Sequence, residues 1–365
     1  MKTKTIFCPE ILKGLRLFLY VIGVFLSVST LSSCETEDNT PKVDPVKYSE
    51  ADMLGTWQRH SVVTNSSNQG FWIRATLVNT ETTHTAHYVL PNGHNMDTTY
   101  TGMVVTMTED GVITTPSDPA AHSYLSSDKN FWVGTTKRDD LYTLVIDQKS
   151  ISGTSYSASD FQGTWQTHYL VAGGTWTGWI HAVSVLDNNG TSISNSLVKS
   201  DGETGTTAGG TNLISSDGII SYEAVPSYHG FMSVDKKLMV TNMTDGGGGG
   251  GLSIAQKMVD GTSYSIADLK GKWQLHDIIV GSENWTEHGN MTLDSLGNAE
   301  ISNLIRDDGE IFDNPGTITL VISADGIVTF GEDFHGFLSA DKNLIIGTRG
   351  DAENAYSLIV LQKMP

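Results

Sequence analysis

The sequence is poor in cysteine, in basic residues and in long hydrophobic runs. Its 365 residues include two cysteines, Cys8 and Cys34, and 22 Lys and Arg against 41 Asp and Glu. A disulfide framework is therefore excluded, and core packing alone must hold the fold. A formal net charge of −19 excludes the basic surface that nucleic-acid binding requires. The strongly apolar stretch Leu17–Leu26 is too short to span a bilayer, which takes roughly 20 residues.

The start of the chain has the three parts of a secretory signal. A positive segment precedes Leu17–Leu26, and Leu31-Ser32-Ser33-Cys34 follows it. This last motif resembles the lipobox of bacterial lipoproteins, in which a small residue precedes a cysteine that is diacylated before cleavage. The resemblance implies a signal peptide over 1–33 and a mature protein that begins at lipidated Cys34. Loss of four basic residues and one acidic residue lowers the formal net charge from −19 to −22; these residues are Lys2, Lys4, Lys13, Arg16 and Glu10.

Residues 34–47 are polar and acidic and lack apolar periodicity, which predicts a flexible tether. Acidic residues just after a lipidated cysteine resemble the surface-export signals of Bacteroidetes-type lipoproteins. We therefore expect an outer-membrane lipoprotein of the bacterial cell envelope, held by the lipid on Cys34. The acidic residues favour the cell surface, and the periplasmic face is the alternative.

The rest of the chain consists of three copies of one unit. The segment Tyr48–His60 recurs as Tyr156–His168 and as Tyr264–His276, and its tryptophan recurs every 108 positions. A second shared block runs from a histidine to an Asp-Lys pair, and each copy closes on Gln-Lys. These matches predict repeats over 48–150, 155–258 and 263–365.

The local signals within a repeat are those of β structure. Asp110-Gly111, Asp217-Gly218 and Asp325-Gly326 lie between short β-branched runs, which predicts two-residue type I′ hairpins. About eight short strands per repeat favour a barrel or sandwich. The glycine run Gly246–Gly251 predicts a flexible loop before the last strand of the second repeat. The fold class is therefore all-β.

Each repeat resembles a calycin, the superfamily of lipocalins and avidins. The resemblance rests on a Gly-x-Trp first strand and on a basic residue that closes the last strand, and it implies three tandem small up-and-down barrels. It also implies a structural plug in which each tryptophan packs on the basic residue: Trp57, Trp165 and Trp273 with Lys149, Lys257 and Lys363. The alternative architecture is a six-bladed β-propeller with two four-stranded blades per repeat.

The repeated polar residues are interpreted as structural and not as catalytic or metal-binding. His60, His168 and His276 recur in all three copies, as expected of residues that every copy needs in order to fold. No catalytic residue, metal ligand or cofactor motif is assigned, because nucleophile-elbow, Walker and dinucleotide patterns lack their strand–turn–helix context. His84, His87 and His94 of the first copy are the residues of a less favoured alternative, a cryptic enzyme site.

Four further tryptophans lie in polar surroundings near the second strands and are candidates for binding a ligand: Trp72, Trp176, Trp179 and Trp285. The alternative, favoured for any single one of them, is that they fill the barrels. The predicted function is non-enzymatic binding of a glycan, small ligand or surface protein by the repeats. The alternative function is a structural or adhesive spacer that binds no small ligand.

Overall fold

The computed structural model describes residues 46–102, 105–312, 317–350 and 353–365. The signal peptide predicted over 1–33, Cys34 and most of the 34–47 tether lie outside the described residues. Residues Pro45–Pro365 form one compact unit. Within the described ranges, no helix has the length and apolar character needed to cross a membrane.

Each repeat begins with a single helical turn and continues as β-strands. The turns are Glu50–Met53, Ala158–Phe161 and Ile266–Leu269. The strands of the first repeat are β1 Gly55–Asn65, β2 Gly70–Asn79, β3 Thr83–Val89, β4 Asn95–Thr101, β5 Thr106–Met107, β6 Val112–Thr115, β7 Asp118–Leu125, β8 Phe131–Arg138 and β9 Leu141–Ser150. Those of the second are β10 Gly163–Ala172, β11 Gly178–Leu186, β12 Ser192–Lys199, β13 Thr204–Thr207, β14 Asn212–Ile214, β15 Ile219–Tyr222, β16 His229–Met232, β17 Leu238–Thr244 and β18 Gly250–Lys257. Those of the third are β19 Gly271–Gly281, β20 Trp285–Leu293, β21 Asn298–Arg306, β22 Ile311–Phe312, β23 Thr317–Thr319, β24 Val321–Ile322, β25 Ile327–Phe330, β26 Phe334–Leu338, β27 Leu344–Gly350 and β28 Ala355–Lys363.

The strands form three antiparallel sheets, one per repeat, and each sheet is an up-and-down meander. The first strand of each repeat pairs with both its second strand and its last strand, which curls the sheet. In the third sheet β23 also pairs with β21, and in the second a bridge joins Thr191 to Thr211, so the curled sheets meet their own far edges. The prediction of three tandem barrels is confirmed, and the described strands do not group into the four-stranded blades of a propeller. They are called barrels 1, 2 and 3.

The Asp-Gly hairpins differ from the sequence prediction in turn type. Gly111, Gly218 and Gly326 have φ of 93°, 89° and 88°, whereas the aspartates before them do not have positive φ. The N–H of Gly111 donates to the carbonyl of Thr108, and the N–H of Thr108 donates to that of Val112. This is a type I turn followed by a left-handed glycine, so the predicted type I′ turn is wrong. The glycine is still required, because it is the residue that takes positive φ.

The inner face of each barrel is filled near the helical turn. Trp57, Trp165 and Trp273 are fully buried, and each belongs to the apolar cluster of its own barrel. Each cluster also includes a residue of the helical turn: Met53, Phe161 or Leu269. The period-2 alternation of the first strand then turns the intervening residues to the outer face of the sheet.

These outer faces pack against one another. A core of buried apolar side chains draws on the first strand and the last two strands of every repeat; its members include Val62, Val133, Ile146, Leu170, Val240, Ile254, Ile278, Ile346 and Val360. Burying such a side chain stabilises the fold by about 1.5–3 kcal/mol. The three barrels are therefore joined by a shared apolar core, with the repeats arranged around its axis.

Histidines mark the three junctions between repeats. His60 Nε2 lies 3.1 Å from His229 Nδ1, His168 Nε2 lies 3.1 Å from His335 Nδ1, and His276 Nε2 lies 3.1 Å from His122 Nδ1. The first repeat thus contacts the second, the second the third and the third the first through the same pair. This cyclic pattern is the signature of an approximate three-fold axis.

The glycine run of the second repeat is partly strand, which corrects the loop prediction. β18 begins at Gly250, and both Gly250 and Gly251 are buried. A Cβ on Gly250 would lie 2.3 Å from the carbonyl carbon of Phe71 in the first repeat. A glycine is required there because two backbones approach each other too closely for any side chain.

Candidate functional site

The helical-turn end of each barrel is occupied by a tryptophan and a lysine. The Nζ atoms of Lys149, Lys257 and Lys363 lie 5.1, 5.3 and 5.3 Å from the ring centroids of Trp57, Trp165 and Trp273. Each indole N–H donates to a carbonyl of the helical turn at 2.7–2.9 Å. Each lysine Nζ also donates to a carbonyl of that turn. These contacts tie the tryptophan and the lysine of each barrel to its helical turn.

The four tryptophans predicted to bind a ligand have different surroundings. Trp72 is 3% exposed, and its N–H donates to Thr244 Oγ1 of the second repeat at 2.9 Å. Trp179 packs on the shared core and stacks on His181. Trp285 lies under the guanidinium of Arg306, 4.6 Å from its ring centroid. Trp176 is half-buried and lines a cleft in barrel 2.

This cleft is the mouth of barrel 2, at the end opposite Trp165. Tyr169 and Val171 lie on the same face of β10 as Trp165, because they are four and six residues beyond it. Ile180 is the register partner of Tyr169 on β11. With Trp176 they border a space of about 460 Å³, within the usual range for small-molecule sites.

The Tyr169 hydroxyl is the buried polar group of this mouth. The residue is 7% exposed, and its oxygen has no hydrogen-bond partner among the described residues. Burial raises its pKa, so the phenol stays protonated and can donate. A Cβ on Gly251 would lie 2.1 Å from this oxygen. The last glycine of the run therefore makes the space that the phenol occupies.

The rim of the mouth is polar and mainly acidic. Lys199 Nζ lies 2.5 Å from Glu203 Oε2. The Asp245 carboxylate accepts the N–H of Gly249 at 2.5 Å, and Asp201 also borders the cleft. The rim thus surrounds an apolar and aromatic floor with hydrogen-bonding groups.

The other two barrels carry different groups on their inner faces. In barrel 1, Arg59 pairs with the fully buried side chain of Asp147 at 3.0 Å. In barrel 3, Asp277 and Glu287 are cross-strand partners, and burial together with the neighbouring Glu287 raises the pKa of Asp277 well above its usual range. Both polar interiors differ from the aromatic mouth of barrel 2.

The histidines do not form a metal site in the described part of the chain, where no group of three or more His, Cys, Asp or Glu side chains is placed to hold an ion. His84 Nδ1 contacts Asn79 Oδ1 at 2.5 Å, and His87 Nδ1 contacts Asp97 Oδ1 at 2.6 Å. His94 is exposed. Two residues of the cryptic-enzyme alternative, His84 and His87, therefore contact separate neighbours, and the third is exposed.

Comparison with known proteins gives distant similarities. No protein-family model matches the sequence, and no curated protein matches it. Among solved structures, transferrin binding protein B from serogroup B Neisseria meningitidis aligns with a TM-score of 0.30 and 9% identity, over 88% of this chain and 77% of that one. A DUF3598-family protein of unknown function from Nostoc punctiforme aligns with a TM-score of 0.22 and 11% identity, over 86% and 96%. Kievitone hydratase from Nectria haematococca aligns at 0.18 and 10%, over 89% and 94%. Scores this low do not transfer a fold or a function.

Proposed function

We propose that this protein is a lipid-anchored protein of the bacterial cell envelope that binds a glycan at the mouth of barrel 2 without catalysing a reaction. The observation that carries the proposal is the pairing of Trp176 with the unpartnered Tyr169 hydroxyl in a cleft of about 460 Å³. The corresponding face of the other barrels carries ion pairs or carboxylates instead.

The chemistry of the mouth suits a sugar ring. A pyranose has an apolar face, which can stack on an indole, and a periphery of hydroxyls, which need both donors and acceptors. Trp176 supplies the aromatic surface, and the Tyr169 hydroxyl supplies a donor below it. The rim carboxylates of Asp201 and Asp245 supply acceptors. A ligand bound there would also satisfy a phenol that is otherwise buried without a partner.

The anchor is the second part of the proposal. Lipid on Cys34 would hold the protein in the outer membrane, and residues 34–47 would act as the tether between lipid and barrels. The acidic net charge disfavours nucleic acid as a partner. A surface location would give the mouth of barrel 2 access to glycans or to a glycosylated protein.

The proposal is tested by screening the purified full-length protein on a glycan array and titrating the best ligand by calorimetry. Trp176→Ala should weaken binding at least tenfold because it removes the stacking surface. Tyr169→Phe should weaken it about tenfold because it removes one buried hydrogen bond. Trp285→Ala is the matched control, a half-buried tryptophan of the third repeat outside the cleft, and should leave binding unchanged. Equal binding by Trp176→Ala and the wild type would disprove the site.

A structural or adhesive spacer is the second candidate. It is favoured by the fully buried Trp57, Trp165 and Trp273 and by the shared core, which together make a rigid body. A spacer predicts no glycan or small-molecule binding by the wild type anywhere in the screen. The two candidates therefore give opposite results in the same experiment.

A further inference from the structure

The three repeats enclose a pocket at one end of their shared core. It has a volume of about 220 Å³ and lies at the end of the barrels that carries the buried tryptophans, because Lys257 and Lys363 border it. Every repeat contributes an apolar residue and its cross-strand glutamine partner: Phe131 with Gln148, Leu238 with Gln256, and Leu344 with Gln362. The pocket therefore lies on the approximate three-fold axis and belongs to no single barrel.

The three glutamines are buried and mostly without partners. Gln148, Gln256 and Gln362 are 1%, 2% and 2% exposed. Both amide atoms of Gln148 and of Gln362, and the Oε1 of Gln256, have no hydrogen-bond partner within the described residues. The Nε2 of Gln256 donates to the carbonyl of Leu344 at 3.3 Å. Leaving a buried amide unsatisfied costs about 1–3 kcal/mol, yet all three repeats carry a glutamine here.

Most of the charged groups around the pocket are already engaged, and the exposed Lys237 is the exception. Asp235 and Asp341 each accept a serine hydroxyl of their own turn at 2.5 Å, and the Asp128 carboxylate accepts that of Ser126. Lys257 and Lys363 donate to backbone carbonyls and lie over tryptophan rings. Apart from the exposed Lys237, the groups left to bind a ligand are the neutral amides.

We propose that this axial pocket is a binding site for one neutral polyhydroxy molecule about the size of a monosaccharide. Free amide N–H₂ and C=O groups surround the axis from three sides, so a ligand must present donors and acceptors around its periphery. Hydroxyl groups on a ring do both. Phe131, Leu238 and Leu344 supply apolar contacts for the ring carbons. The lining holds three aspartates and three lysines, so it has no excess of either charge that would favour an ionic ligand.

This site is independent of the barrel 2 mouth, and all three repeats contribute to it. It is built from three repeats but accepts one molecule per chain, because the three glutamines converge on a single space. Substitutions at Trp176 should leave it intact. Its failure and the failure of the proposed function can therefore be told apart.

The test titrates full-length protein with glycerol, myo-inositol, glucose, galactose and N-acetylglucosamine, by calorimetry and ligand-detected NMR. One or more should bind at one molecule per chain to the wild type and equally to Trp176→Ala. Gln148→Leu should weaken binding about tenfold through the loss of its hydrogen bonds. The triple variant Gln148→Leu/Gln256→Leu/Gln362→Leu should abolish it.

Stability measurements separate a binding role from a structural one. Because the three replaced amides make only one hydrogen bond to the described protein, from Gln256 Nε2 to Leu344 O at 3.3 Å, the triple variant should unfold at about the same urea concentration as the ligand-free wild type, or at a higher one. The matched control is Asn242→Leu, a buried amide outside the pocket lining whose Nδ2 donates to Ser61 O at 3.2 Å and to Gly251 O at 3.0 Å. It should lower stability and leave binding unchanged. No binding by any of the five compounds, or unaltered binding by the triple variant, would overturn the proposal.

Discussion

Gly250 and Gly251 are neighbours in one strand, but each leaves space for a different part of the protein. Gly250 faces the first repeat, where the backbone of Phe71 takes the place of a side chain, and Gly251 faces the barrel interior, where the Tyr169 phenol lies. Because successive residues of a strand face opposite sides of the sheet, Gly250 lies at the contact between repeats and Gly251 lies at the proposed ligand site. Two residues of identical chemistry thus carry different constraints because their directions differ.

Gly250→Ala should destabilise the protein by about 2 kcal/mol, because a methyl group cannot fit 2.3 Å from the carbonyl carbon of Phe71. Urea unfolding monitored by tryptophan fluorescence gives the change. Gly246→Ala is the control, since no heavy atom lies within 4 Å of its Cβ position and its φ is not positive; its effect should stay within about 0.5 kcal/mol. Equal stabilities of the two variants would contradict the close approach.

At the scale of elements, the junctions between repeats are made by strands whose histidines must remain neutral. His60, His168 and His276 are fully buried, and burial lowers the pKa of each well below its usual range. Burial also lowers the pKa of His122 to about 3, and that of His229 and His335 to about 4. A neutral pair can share one hydrogen bond, whereas protonation of both rings would bring two cations together.

Acidification should therefore weaken the protein. An unfolded histidine has a pKa near 6.5, so below pH 6.5 the unfolded state binds protons that the folded state excludes until about pH 4. The contribution of these histidines to the free energy of unfolding is fully present above pH 6.5. It falls toward pH 4, by about 1 kcal/mol per pH unit for each buried histidine. Burial raises the pKa of Asp147 to about 6 and also raises the pKa values of Asp277 and Glu287. These three carboxyls act in the opposite direction, but the six junction histidines outnumber them.

Unfolding free energies at pH 7 and pH 5 measure this effect. His168→Gln should reduce the loss between the two values, since one titrating junction ring is gone. His94→Gln, which changes an exposed histidine, should show the wild-type loss. A free energy of unfolding that does not change from pH 7 to pH 5 would rule out the neutral junctions.

At the scale of the molecule, the barrels share one apolar core and are not independent domains. The outer face of β10, β17 and β18 carries Leu170, Val240 and Ile254, which are fully buried only because the other two repeats cover them. A chain of three barrels without disulfides is stabilised in this way by mutual burial. It follows that the axial pocket exists only in the complete assembly.

Residues 155–258 expressed alone should fail to form a stable monomer. Separation would expose a contiguous apolar face to water, which drives unfolding or association. Size-exclusion chromatography and hydrogen exchange, compared with the full chain, provide the measurement. A monomeric isolated repeat with cooperative unfolding would contradict the shared core.

Much of this architecture could be predicted from local patterns. The Gly-x-Trp segments, the repeated Asp-Gly pairs and the closing Gln-Lys pairs indicated three all-β meanders, because strand alternation and turn glycines act over a few residues. The exact turn type was wrong, since the pair Asp-Gly fits both a type I′ turn and a type I turn with a left-handed glycine. The glycine run was assigned to a loop because nothing in its own sequence reveals Phe71 opposite Gly250.

By itself, the sequence determined the repeat number, the all-β class, the acidic charge and the positions of the buried Trp57, Trp165 and Trp273. Contacts between repeats were decided by the tertiary structure, because they join residues far apart in the sequence, such as His60 and His229, which are 169 positions apart. The same holds for the two candidate sites. Tyr169 differs from Ser61 and Asp277 at the matching positions of the other copies, a divergence visible in the sequence, but only the fold turns it toward Trp176. In the sequence, Gln148, Gln256 and Gln362 are recognisable only as residues near the ends of the closing strands. The packing of the three sheets places them around one axis.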